Sequence, residues 1–285
     1  MKNLLLLLLI AFSIPLMSQH KVGVRAGLNY GKFSGPLEEG EDYSVSNGFH
    51  FGINYTYLLN DILSFRAEML YIQRGTKQTF VDSSGNAFYI INAIDRSENI
   101  VAFGNVDYQL EVSNSYLSIP LTAHLRINKK FEAYAGMSAE FLIGPGARGF
   151  VDFSNDEFFF GQSLDHSYGS DMAGSFNTRI QDLLAIKVDG ESLTMPKFVG
   201  AYYNLTSEQV TGQRFNRVDA KLILGLNYFI NPGFYVGARA EYGLRDITND
   251  GMDYSLRELD RNRNLVLRDD TDRSLSLNFS FGFRF

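Results

Sequence analysis

The last eleven residues, 275–285, alternate without a break. Leu275, Leu277, Phe279, Phe281, Phe283 and Phe285 are apolar, and Ser276, Asn278, Ser280, Gly282 and Arg284 between them are small or polar. A period of two marks a strand with one apolar and one polar face. Such a run, ending on an aromatic residue, predicts a strand with its apolar face in lipid, the closing strand of an outer-membrane barrel. Phe285 is then the residue expected to mark the chain for assembly.

The other end reads as an export signal. Met1-Lys2-Asn3 is a short basic start, residues 4–12 are apolar, Pro15 breaks the run and Ser18 offers a small residue for cleavage. A signal peptide over residues 1–18 and a single barrel domain over 19–285 follow. The apolar run is too short to span a bilayer as a helix, and no later stretch approaches ~20 apolar residues. With no cysteine in the chain, lipid-anchored cysteine, disulfides, zinc–thiolate sites and thiol nucleophiles are excluded. Loss of the signal takes the formal charge from −6 to −7, which argues against a nucleic-acid partner, since that needs a basic surface.

Seven further segments repeat the alternation: 21–30, 48–57, 63–71, 117–126, 131–141, 218–228 and 234–245. Each is near the ~9–11 residues that a tilted strand needs to cross a bilayer. The connections alternate in length. Compact turns fall at Asn60-Asp61, Asn128-Lys129-Lys130 and Asn231-Pro232-Gly233, with the residues that favour tight turns. Long connections cover about 34–47, 75–115, 145–216 and 246–273. An all-β, eight-stranded antiparallel up-and-down transmembrane β-barrel puts every short turn in the periplasm and every long loop outside the cell. The expected location is the outer membrane, with the loops surface-exposed.

Alternation alone also fits a soluble barrel with its apolar parity inward. The polar parity decides against it. It carries Gly23, Gly27, Gly52, Gly136, Gly225, Gly237 and Gly282, and a solvated strand face has no use for glycine. A crowded barrel interior does. The same parity holds Arg25, Arg66, Lys221 and Arg239 with Glu68, Glu140 and Glu241. Eight strands enclose a space that side chains just fill, and buried charges must be paired, so these seven residues are expected to form a salt-bridged plug.

Other chemistry is weaker. A lipid hydrolase would need a His, a Ser and a carboxylate together; His50 and His124 fall on the inward parity with Ser118 and Glu140, and an inward histidine that simply hydrogen-bonds is the plainer reading. Residues 246–251 imitate the start of a calcium loop, but Arg257 stands where the bidentate Glu belongs. Glu38, Glu39, Glu41 and Asp42 read as a solvated loop. In the 145–216 connection, Ile180, Leu183, Leu184 and Lys187 have helical spacing after Asn177, which predicts a helix over 178–188. Phe158-Phe159-Phe160 and the aromatics of 198–203 imply that this connection folds. Tyr30, Tyr55, Tyr57, Tyr71, Tyr228 and Tyr242 sit where aromatic girdles anchor a barrel.

The stretches Glu68-Met-Leu-Tyr71-Ile-Gln-Arg-Gly75, Tyr116-Leu-Ser-Ile-Pro120-Leu, Tyr134-Ala-Gly136 and Arg239-Ala-Glu-Tyr242-Gly-Leu244 resemble the PorT-like outer-membrane β-barrel domain common in Bacteroidetes. The likeness covers nearly the whole mature chain, and Tyr-Leu-x-Ile-Pro-Leu is its most specific piece. It implies an outer-membrane, eight-stranded barrel, in a group whose namesake is tied to the type IX secretion system. The 145–216 connection is longer than the group's pattern. The expected function is non-enzymatic, an envelope or interaction protein in a secretion or uptake assembly, with no cofactor. Expected partners are outer-membrane lipid and lipopolysaccharide, the barrel assembly machinery, and an extracellular or secretion-system protein. A narrow channel or small-ligand barrel and a lipid-modifying enzyme are the alternatives.

Overall fold

The structure is a computed structural model that describes residues 19–91, 99–165, 183–188, 190–199, 213–262 and 265–285. The predicted signal peptide, residues 178–182 of the expected helix and the aromatics of 200–203 lie outside the described residues. The chain opens with β1 (His20–Ser34), β2 (Glu41–Leu58) and β3 (Leu63–Arg74), and runs straight through Gly75 into β4 (Thr76–Ile91). It returns in β5 (Asn99–Val112) and passes through Ser113 into β6 (Asn114–Arg126). Next come β7 (Phe131–Gly144), β8 (Ala147–Ser154) and β9 (Phe159–Asp165), the hairpin β10 (Leu183–Val188) and β11 (Glu191–Pro196), and β12 (Phe198–Val199). The remaining strands are β13 (Val218–Phe229), β14 (Phe234–Gly243), the small pair β15 (Tyr254–Leu259) and β16 (Leu265–Leu267), and β17 (Arg273–Arg284).

Eight of these close into a ring in the order β1, β17, β14, β13, β7, β6, β3, β2, with β2 pairing back onto β1. All eight junctions are antiparallel. The three short turns share one device. Asn60, Asn128 and Asn231 each accept, through Oδ1, the backbone N–H groups two and three residues on. This side-chain mimic of a turn fixes the chain reversal before Leu63, Phe131 and Phe234.

Within the ring the outward face is apolar and the inward face polar. On β17, Leu275, Leu277, Phe279, Phe281 and Phe283 are exposed, while Ser274, Ser276, Asn278 and Ser280 are buried. At the end opposite the short turns this polarity inverts. Following β6 back into β5, the inward positions change from His124, Thr122, Ser118 and Asn114 to Val112, Leu110 and Val106. The outward positions change from Leu125, Leu121 and Leu117 to Glu111, Gln109 and Asp107. The change falls in one row, where Ser113 N–H donates to the Gly146 carbonyl and a Cβ on Gly75 would strike the Val112 carbonyl. Above that row β4, β5, β8 and β9 continue the sheet from β2 as a crown with its own apolar core. Phe33, Phe80, Val106, Leu110, Val151, Phe153, Phe160, Met195, Phe215 and Ile247 form it.

The four long connections are therefore not loops throughout. The first shrinks to 35–40, because β1 and β2 stay paired up to Gly31 and Ser46 and β2 continues alongside β4. The second and third carry β4, β5, β8 and β9, whose mainly apolar inward and mainly polar outward residues break the pattern of the barrel strands. The expected helix over 178–188 is overturned where it is described: 183–188 is β10, paired along its length with β11. Gly190, at φ +85°, permits the tight reversal between the two strands, and Ile186, Leu193 and Met195 enter the crown core.

Candidate functional site

The barrel interior is filled by ion pairs arranged as one alternating chain. Arg25 pairs with Glu68 (3.4 Å), Glu68 with Arg239 (2.9 Å), Arg239 with Glu241 (2.7 Å) and Glu241 with Arg74 (2.6 Å). Arg74 continues to Glu140, which lies 3.5 Å from Lys221, and Lys221 is 3.7 Å from Asp219. Four cations and four carboxylates, drawn from β1, β3, β7, β13 and β14, thus offset one another. All eight are buried. Hydroxyls add further partners: Ser280 and Tyr134 accept from Arg25, Ser118 donates to Glu140, and Ser274 accepts from Lys221.

Nearer the short turns, Glu132 collects a second group: Arg66 at 3.4 Å, His124 at 2.8 Å, Arg284 at 3.6 Å and the Asn227 amide at 3.1 Å. Two tyrosines lie between the groups. Tyr134 is directly opposite Gly225, and Tyr235 directly opposite Gly282. A Cβ on Gly225 would sit 2.2 Å from the Tyr134 ring, and one on Gly282 2.3 Å from the Tyr235 ring. Glycine here makes room for an aromatic ring laid flat across the neighbouring strand.

Arg25, Arg66, Glu68, Glu140, Lys221, Arg239 and Glu241 therefore share the interior, with Arg66 in the second group. The sequence reading omitted four members. Arg74 lies beyond the residue at which the alternation stops, because buried Leu70 and Ile72 interrupt the polar face. Asp219, Glu132 and Arg284 stand on the inward parity at strand ends, and parity was their available signal. Phe285 donates its N–H to the Val22 carbonyl and keeps its ring against Phe283, 4.9 Å between centroids.

The histidines are held by other partners. His124 contacts Glu132 and Thr122 Oγ1 (2.8 Å each) and stacks on Tyr134, and His50 contacts Asn29 at 2.6 Å. Ser118 donates to Glu140, and among the described residues no hydrogen bond joins either inward histidine to a serine.

In the crown, the acidic stretch is not simply solvated. Glu38 accepts from Ser255 Oγ (2.5 Å) and Leu256 N (2.9 Å), Glu39 pairs with Arg257, and Glu41 pairs with Arg268 (3.1 Å) and accepts from Gln78 (2.7 Å). Asp253, Asp270 and Asp272 bring one oxygen each within 4.8 Å of one another. Arg214 meets Asp253 at 2.8 Å and Arg268 meets Asp270 at 2.6 Å, so this is an ion-pair cluster with two of its three carboxylates neutralised. Asp272 accepts from Thr248 and Tyr43. Burial pushes its carboxyl up to about 6, and the charges of Asp253 and Asp270 add to the rise against the Thr248 hydrogen bond. Asp246, in the calcium-loop imitation, accepts the N–H groups of Thr248 and Asp272, as in an ordinary capped turn.

A closed ring with an apolar exterior and a charged, filled interior belongs in a bilayer. The model of one protein family, described as outer membrane protein beta-barrel domain, matches residues 17–249. The chain belongs to that family. Its place is the outer membrane. Among solved structures it is similar to Ail, the attachment invasion locus protein of Yersinia pestis, at 12% identity over 94% of this chain and 99% of that one (TM-score 0.37). It is also similar to Neisserial surface protein A, at 12% identity over 94% and 98% (TM-score 0.34), and to OprG from Pseudomonas aeruginosa, at 12% identity over 93% and 95% (TM-score 0.34). No curated protein matches the chain.

Proposed function

We propose that this outer-membrane barrel is a non-enzymatic envelope protein that holds its crown outside the cell and docks a partner protein there. The observation that carries the reading is the inversion of polarity along single strands. The buried half is closed by ion pairs, while the half beyond the membrane is a folded sheet with its own core. A plug that fills the bore leaves the crown as the part available for recognition. Its outward face presents Phe103 and Phe159, 59% and 66% exposed, beside the polar row of Asp107 and Asp152. Exposed aromatics with a polar surround suit a protein interface.

The role is that of a component in a secretion or uptake assembly of the PorT-like type. Export through the N-terminal signal, insertion by the barrel assembly machinery reading the Phe285 strand, and contact with lipopolysaccharide complete the proposal. Crosslinking on whole cells tests it. Phe103→Ser with Phe159→Ser should lose a crosslinked partner that the parent chain captures, while both still show the heat-dependent gel shift of a closed barrel. An unchanged crosslink places recognition elsewhere. In planar bilayers the intact chain should give no unit conductance; discrete steps would favour the channel alternative.

A further inference from the structure

The outward charge at the top of the lipid-facing wall differs from strand to strand. On the side where the crown rises, outward Lys77 lies 4.0 Å from Glu111, with Asp107 nearby on the same face. On β1 and β17, Lys32 extends the outward line of Leu28 and Tyr30, and Arg273 extends that of Leu275 and Leu277. Register sets Lys32 opposite Leu275 and Ser34 opposite Arg273. The two residues are therefore diagonal neighbours on one face, with their backbones ~7–8 Å apart. Neither forms an ion pair among the described residues. Arg273 donates to the Tyr242 hydroxyl at 2.8 Å and lies over its ring, and Asp272 beside it is turned inward and buried.

Their height is that of the polarity change, since a Cβ on the neighbouring Gly31 would lie 3.4 Å from the Gly75 carbonyl. Below them the wall carries a shallow apolar groove of about 550 Å³. Ala238 forms its floor between Leu226 and Phe279, its partners on the flanking strands. Ala240 and Tyr242 lead up from it, about 13 Å along β14 at ~3.3 Å per residue. Two cations on neighbouring strands, neither paired with an acid among the described residues, favour an anion that both can reach.

We propose that Lys32 and Arg273 clamp the phosphate of an anionic lipid from the leaflet next to the crown, with one acyl chain lying over Ala238. Charge complementarity selects a phosphate-bearing lipid over a zwitterionic one, and the apolar groove selects a lipid over free phosphate. The site rests on the lipid contact proposed above, to which it assigns residues, and is separate from the crown's docking role.

The test is native mass spectrometry of the detergent-purified full chain with phosphatidic acid, phosphatidylcholine or inorganic phosphate. Phosphatidic acid should stay bound where phosphatidylcholine does not, and K32Q/R273Q should weaken it roughly 20- to 30-fold, the loss of two cations at a membrane surface. R148Q on β8, where Arg148 stands opposite Glu111, should bind as the parent does, and Ala238→Phe should weaken phosphatidic acid by filling the groove. Every variant is first checked for the heat-dependent gel shift. Equal retention by K32Q/R273Q, or binding of inorganic phosphate as tight as that of phosphatidic acid, would overturn the proposal.

Discussion

Arg239 joins Glu68 and Glu241 at 2.9 and 2.7 Å with no exposure to solvent. Arg239→Ala would leave both carboxylates one cation short in a low-dielectric interior, a loss of ~3–5 kcal/mol. The expected readout is a lower temperature for the heat-dependent gel shift in detergent. Arg239→Lys should fall between the two, since a single ammonium does not reproduce the guanidinium fork. Asp272 answers to pH instead. Its folded pKa of about 6 lies above the ordinary carboxylate value, so between roughly pH 4 and 6 the folded state takes up a proton that the unfolded state releases. Crown stability from this group is then full at acidic pH and falls as pH rises through 6. Asp272→Asn should stabilise the crown at pH 7 by about 1–2 kcal/mol. Its advantage should vanish near pH 4, as followed by proteolysis of the crown across the pH range. A variant equally advantaged at both pH values would remove the carboxyl as the cause.

At the scale of elements, the short turns show how local chemistry sets the chain's path. Asn128→Ala removes the acceptor for Lys130 and Phe131 N–H and should cost ~1 kcal/mol. Urea midpoints of the refolded barrel would register it, and Asn128→Asp should restore most of the loss. The barrel strands were legible because one face is uniformly apolar over about ten residues, and the Asn turns punctuate them. The crown strands were not, because their apolar residues point inward and their lengths vary, so they lack the lipid-facing signature. The expected helix shows the same limit. Leu183, Leu184 and Lys187 suit a helix by spacing, but Asp189-Gly190 is a strong hairpin signal, and pairing with β11 prevails. For the interior, parity alone places Arg25, Glu68, Lys221, Arg239 and Glu241 on one face. It does not tell which pairs with which, because that depends on strand order around the ring, nor does it reach Arg74 past Leu70 and Ile72.

For the whole molecule, the polarity change in the row of Gly75, Ser113 and Gly146 marks the membrane boundary, and one continuous line of strand crosses it. Leu121 and Gln109 both face outward on that line, on opposite sides of the row. Leu121→Arg should destabilise the inserted barrel by ~2–4 kcal/mol, the cost of a cation near the middle of a bilayer. Gln109→Arg should change it by no more than ~0.5 kcal/mol. Urea titration in vesicles would compare them, and equal effects would move the boundary away from the row.

The alternating ion-pair chain also bears on how errors in assembly are rejected. A strand displaced by one position turns its apolar face inward and is refused by the bilayer itself. A displacement by two keeps every face correct and passes that first check. It nevertheless moves each charge by roughly 7 Å along the strand, far enough to separate Glu68 from Arg239 or Arg74 from Glu241. The lipid thus detects odd slips and the interior charges detect even ones. Between them, one arrangement of the eight strands satisfies both.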